Sequence, residues 1–118
     1  MKYLIKESQF DKIIFKYLDN QDFIQIDTKD GVYFVNSVGD EFVDSEGDKY
    51  AQITYDKYNH WCYIYYKLTH EISSFFSIEK SDSERVIGRW VENTLRMRVT
   101  NTESLSGIWT MPLRIPSN

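Results

Sequence analysis

Hydrophobic positions along the chain repeat with two different periods. From Ser8 onward, Phe10, Ile13, Ile14, Tyr17 and Leu18 keep the i, i+3, i+4, i+7, i+8 spacing of one buried helical stripe. Ser8 with Asp11 three residues on resembles a capping box built with the shorter acid. Asp11, Lys12, Lys16 and Asp19 fall on the wet side. The pattern predicts a helix from Ser8 to about Asn20, after a short edge strand over residues 2–5. From Asp22 the period becomes two. Phe23-Ile24-Gln25-Ile26 and Val32-Tyr33-Phe34-Val35 flank Thr28-Lys29-Asp30-Gly31, and Asp-Gly between such runs predicts a hairpin. Further strands are expected at Tyr50–Asp56 and Trp61–Leu68, joined by the turn Lys57-Tyr58-Asn59-His60.

Helical spacing returns after Thr69, which predicts a helix capped by Thr69 with Glu71 in its first turn and Ile72, Phe75 and Phe76 on its apolar face. Ser81-Asp82-Ser83-Glu84 reads as a capping box opening a longer helix that buries Val86, Ile87, Trp90, Val91, Thr94 and Leu95. Gly88 inside it costs about 1 kcal/mol against alanine, so a close packing contact is expected there. Asn101 to Gly107 is polar and turn-rich. Beyond it Trp109, Met111, Leu113 and Ile115 alternate with polar residues and Pro112, which predicts an extended arm. The expected architecture is α+β: an N-terminal helix, an antiparallel meander of four or five short strands, two C-terminal helices packed on one sheet face, and the arm. Residues 1–100 form the single domain in this reading and 101–118 the arm.

One stretch within the meander repeats. Asn36-Ser37-Val38-Gly39-Asp40-Glu41-Phe42-Val43 is followed directly by Asp44-Ser45-Glu46-Gly47-Asp48-Lys49-Tyr50-Ala51, a tandem copy of a turn-plus-strand unit. It adds one short strand at Glu41 to Asp44, and two copies are too few for a solenoid.

Length and composition narrow the functional classes. A chain of 118 residues is one domain, long enough to bury a core without a disulfide or metal. Cys62 is its only cysteine, which excludes an intrachain disulfide and a multi-cysteine zinc site and suits a reducing compartment. No apolar run approaches the roughly 20 residues of a membrane span, and charge returns at Lys6-Glu7 before a signal-peptide core is possible. The net charge of −4 is unevenly spread. All five arginines follow Glu84, and every lysine but Lys80 precedes Thr69. Aromatic residues make up 16% of the chain, which directs attention to surfaces that use aromatic rings.

Three constellations are candidates. Arg85, Arg89 and Arg96 share a stripe with Glu92 on the long helix: either an anion-binding ridge, or a wet face on which Glu92 pairs with Arg89 and Arg96. Trp61, Tyr63, Tyr65 and Lys67 share one strand face, and Cys62, Ile64, Tyr66 and Leu68 the other. The first face is either a stacking platform for unpaired bases or a cross-strand aromatic cluster. An acidic chain with no basic groove disfavours nucleic acid. His60 and Cys62 are two apart, but Cys62 falls on the apolar side, where thiols are inert. The acidic run Asp40, Glu41, Asp44, Glu46 and Asp48 fails as a calcium loop, because Lys49 stands at the required glycine and Tyr55 at the closing glutamate. No cofactor or metal is implied.

The segments Leu4-Ile5-Lys6-Glu7-Ser8-Gln9, Ile14-Phe15-Lys16-Tyr17-Leu18-Asp19-Asn20-Gln21, Tyr33-Phe34-Val35-Asn36-Ser37, Trp61-Cys62-Tyr63-Ile64 and Ile87-Gly88-Arg89-Trp90-Val91-Glu92-Asn93-Thr94 resemble small proteins of unassigned activity encoded by marine bacteriophages. The resemblance spans roughly residues 1–102 and departs from that group in the doubled octad. It implies a phage-infected bacterial cytoplasm or a virion as the setting, and no chemistry. The expected function is a non-enzymatic interaction module. It would engage a protein partner, or a second copy of itself, through Trp109, Met111, Leu113 and Ile115. A small nucleic-acid-binding regulator using Arg85, Arg89, Arg96, Trp61, Tyr63 and Tyr65 is the alternative.

Overall fold

The structure, a computed structural model, describes residues 7–36, 50–105 and 113–114. Helix α1 runs over Glu7–Asp19, and strands β1 (Phe23–Asp27) and β2 (Gly31–Asn36) make the expected hairpin. Its turn closes through Thr28, whose N–H donates to the Gly31 carbonyl at 2.8 Å and whose hydroxyl accepts the Gly31 N–H at 3.1 Å. Gly31 is needed for what lies beside it, since a Cβ there would overlap the Tyr55 carbonyl oxygen of the neighbouring strand.

The run at 50–56 divides into β3 (Tyr50–Ala51) and β4 (Ile53–Asp56). Phe34 pairs with Ile53 and also accepts the Gln52 N–H at 2.9 Å, so two residues face one, as in a β-bulge. Strand β5 (Trp61–Tyr65) stops short of the expected Leu68, because α2 (Tyr66–Phe76) begins at once and turns Leu68 and Thr69 into the core. Helix α3 follows at Lys80–Leu95, then β6 (Asn101–Leu105) and β7 (Leu113–Arg114).

The main sheet has the order β1-β2-β4-β5-β6. It is antiparallel as far as β5, but β6 lies parallel to β5, from Trp61 beside Asn101 to Tyr65 beside Leu105. The sheet is therefore mixed, not a pure meander. A parallel neighbour requires a long crossover, and α2 with α3 supplies it. Residues 101–105, expected to open the arm, are instead a strand of this sheet. In a second, two-stranded sheet β7 pairs antiparallel with β3 of the same chain, Tyr50 beside Arg114 and Ala51 beside Leu113.

All three helices contribute to one core with a single face of the main sheet. Ile14 and Leu18 of α1, Leu68 and Ile72 of α2, and Val86, Ile87, Trp90 and Val91 of α3 pack on Phe34, Ile53, Tyr55, Cys62 and Ile64. The α+β arrangement is thus as expected. The stripe on α1 is rotated from its expected position, however: Ile13 is 52% exposed, whereas Asp11 is only 4% exposed. The reason is electrostatic. Asp11 Oδ2 lies 3.1 Å from Arg89 Nη1 and 3.5 Å from Arg85 Nη1, so α3 draws the carboxylate inward.

The expected caps are also put to other uses. Neither α2 nor α3 has a side-chain cap hydrogen bond at its N-terminus. Thr69 is buried inside α2, where its Oγ1 lies 2.6 Å from Ser104 Oγ of β6. Ser83 pairs with Ser73 of α2 at 2.6 Å, and Glu84 accepts the Ser104 N–H at 2.9 Å. Glu92, expected to pair with arginines, accepts the Val99 N–H at 3.0 Å. Gly88 makes its close contact with Thr102, whose Oγ1 a Cβ would overlap. Glu84, Gly88 and Glu92 are four apart, so one face of α3 holds residues 99–104 against the sheet. No described helix is long and apolar enough to cross a membrane.

Candidate functional site

Strand register sorts the candidate residues. Cys62 and Ile64 face the helices, while Trp61, Tyr63 and Tyr65 point to the other face, in rows with Asp56, Thr54, Tyr33, Ile26, Ile24 and Val35. This second face carries none of the three helices. Ile24 on it is 51% exposed, and Ile26, Val35, Trp61, Tyr63 and Tyr65 are half-buried. The Trp61 and Tyr63 rings lie 6.1 Å apart, so the aromatic row packs along its own strand.

The arginine stripe lies elsewhere. It is on the outer side of α3, and α3 packs on the Cys62 face, so the sheet separates Arg85, Arg89 and Arg96 from Trp61, Tyr63 and Tyr65. Arg85 and Arg89 both bind Asp11, and Arg85 also meets Asp82 at 3.9 Å. Arg96 ends α3 in the left-handed conformation at φ 57°. Two grooves beside α3, of about 380 and about 750 Å³, mix these cations with Glu84, Glu92 and Asp11. Neither has the one-signed lining that a phosphate backbone requires. Labelled single- and double-stranded oligonucleotides are therefore expected to show no anisotropy change at low or moderate salt. Steeply salt-dependent binding lost in Arg85→Ala/Arg89→Ala/Arg96→Ala would contradict this.

The His60–Cys62 pair does not form a nucleophilic couple. Cys62 is fully buried, and burial pushes its thiol well above the ordinary range. His60, at φ 61°, directs Nδ1 to Tyr55 Oη at 2.7 Å. The Tyr55 hydroxyl donates its only proton to the Arg98 carbonyl at 2.8 Å, so His60 Nδ1 carries the hydrogen of the other bond. The three groups pin the 96–100 segment to the sheet. Among the described residues there is no His/Cys/Asp/Glu cluster that could hold a metal.

A site with converging chemistry does occur at the hairpin end of the helix-free face. A cavity of about 190 Å³ is lined by residues that include Tyr33, Tyr58, Tyr63, Thr54, Asp30 and Asp56. Tyr33, Thr54 and Tyr63 are lateral neighbours on β2, β4 and β5. Tyr58 comes over from the 57–60 turn, and its hydroxyl donates to Asp30 Oδ1 at 2.9 Å. Asp56 is held by the Tyr58 and Asn59 N–H groups at 2.8 and 3.4 Å. Thr54 is only 7% exposed, and its hydroxyl makes no hydrogen bond among the described residues. The phenols register a negative field. The Tyr58 hydroxyl is shifted upward by its bond to Asp30 and by the Asp30 and Asp56 charges. That of Tyr33 is shifted upward by burial and then by the same two carboxylates.

The sequence pattern points to Tyr63 but not to the cavity, because its members are brought together by strand register and by two turns, not by spacing. Of the expected partner-binding residues, Trp109, Met111 and Ile115 lie outside the described residues, as do the acidic run at 40–48, the added strand at 41–44 and the strand at 2–5. Leu113 lies in β7, paired with its own chain.

The fold and site define an α+β protein with a mixed sheet, helices on one face and an aromatic, acid-rimmed surface on the other. No known protein family, curated protein or solved structure matches the chain.

Proposed function

We propose that the chain is a non-enzymatic protein-interaction module whose contact surface is the helix-free face of the main sheet. The supporting observation is the row Ile24, Ile26, Val35, Trp61, Tyr63 and Tyr65, apolar or aromatic and partly accessible to solvent. Tyr and Trp are the residues that most often anchor protein interfaces, and an exposed apolar patch with a polar rim marks such surfaces. Asp30, Asp56 and Glu103 supply an acidic rim, so the partner is a protein segment carrying basic side chains among apolar ones. The phage resemblance makes a bacterial cytoplasm or a virion the setting of that encounter.

Selection from a displayed library of random peptides tests this. Enriched peptides are expected to combine apolar and basic residues. They should bind at least about tenfold more weakly to Ile24→Asp and to Trp61→Ala, and unchanged to Arg85→Ala. A library that yields no enriched peptide, or peptides that tolerate both sheet-face substitutions, overturns the reading.

A further inference from the structure

We propose that the cavity between Tyr33, Tyr58 and Tyr63 is a socket for one alkylammonium group, supplied by a lysine side chain of the partner. This rests on the interaction reading above and gives it a specific anchor. Its volume, about 190 Å³, is below the roughly 300–1,000 Å³ of pockets for drug-sized ligands, so it suits one side chain and not a nucleotide. Three tyrosines line the cavity, and the face of a phenol ring attracts a cation, the more so when the cation is desolvated. Asp30 and Asp56 add two negative charges, each already anchored by hydrogen bonds from the 57–60 turn and so fixed in place before a ligand arrives.

Thr54 adds a hydrogen-bonding group to the cavity: the residue is 7% exposed, and its hydroxyl has no partner among the described residues, so it is free to pair with an occupant. It lines the cavity and accepts an N–H from whatever occupies it. An ammonium brings three donors and a compact charge, which match one hydroxyl acceptor and two carboxylates. The neighbouring cation, Lys57, is engaged by Asp27 and the Thr28 carbonyl, so it does not fill the socket itself.

The test is a titration of the ¹⁵N-labelled protein with N-acetyl-lysine amide, with its neutral Nε-acetyl derivative in parallel. Amide shifts are expected at Gly31, Tyr33, Thr54, Tyr58 and Tyr63 with the lysine probe and not with the derivative. Tyr58→Ala removes a ring that is 72% exposed, so the fold is retained while binding weakens roughly tenfold. Thr54→Val is expected to weaken binding severalfold without lowering the unfolding midpoint, because the hydroxyl it removes has no partner to lose. Equal shifts from the neutral derivative, shifts that survive Tyr58→Ala, or no shifts at all overturn the socket. Peptides that need Ile24 and Trp61 but contain no lysine would overturn the socket while leaving the interaction reading in place.

Discussion

Trp90→Ala is expected to destabilise the chain by roughly 3–5 kcal/mol, a large part of the 5–15 kcal/mol typical of a whole domain. Trp90 is where three parts of the fold meet. Its indole packs on Phe34 of β2 with centroids 5.2 Å apart and on Phe23 of β1 at 5.6 Å. Its Nε1–H donates to Asp19 Oδ1, at the end of α1, at 2.9 Å. Removing the ring leaves a cavity between buried Phe34 and partly buried Phe23 that cannot collapse without moving the hairpin. Trp90→Phe separates the two contributions. It keeps most of the packing and loses only the hydrogen bond, and because Asp19 is exposed its carboxylate returns to water at a cost of about 1 kcal/mol. Urea unfolding monitored by far-UV circular dichroism checks both, the midpoint falling with the slope unchanged. A loss under about 1 kcal/mol for Trp90→Ala would mean that the α1, α3 and hairpin packing is wrongly assigned.

Gly88→Ala is the second large effect, and its sign runs against helix propensity. In an exposed helix the change gains about 1 kcal/mol. Here the new methyl would overlap Thr102 Oγ1, with Thr102 Cβ and Cγ2 each 3.4 Å away, so the threonine cannot keep its present rotamer. Either Thr102 is forced into another rotamer or β6 and α3 move apart, and a net loss of about 1–3 kcal/mol is expected. Adding Thr102→Ala removes the obstructing oxygen. The double variant should recover most of that loss, giving a coupling of about 1–3 kcal/mol between residues 14 apart in the chain. Additive single effects would show that β6 does not lie against Gly88.

The same contact shows how far the sequence carries. Gly88 was legible as a close approach, because glycine inside an amphipathic helix needs a reason, but its neighbour was not. Residues 101–105 read Asn-Thr-Glu-Ser-Leu, with no apolar alternation, so nothing local marks them as a strand. They become one because Glu84 accepts the Ser104 N–H, Thr69 meets the Ser104 hydroxyl, and β5 offers an open edge. The one available signal was the i, i+4, i+8 alignment of Glu84, Gly88 and Glu92, a face of α3 too polar for solvent packing alone to explain its glycine. Residues that look like caps in a linear reading, Thr69 and Glu84, were drawn instead to these distant partners.

What the sequence determined by itself is whatever depends on near neighbours. The α1 span, the β1–β2 hairpin and the division of β5 into a Cys62–Ile64 side and a Trp61–Tyr63–Tyr65 side all follow from periods of 3.6 and 2. Tertiary structure decided everything that depends on which faces meet. It turned Asp11 inward to two arginines, set β6 parallel to β5, and kept the arginines and the sheet aromatics on opposite sides. It also assembled the tyrosine socket from residues 30, 33, 54, 56, 58 and 63. No spacing encodes that cluster: hydrogen bonding between three strands sets the register that aligns Tyr33, Thr54 and Tyr63, and the 28–31 and 57–60 turns bring Asp30 and Tyr58 beside them.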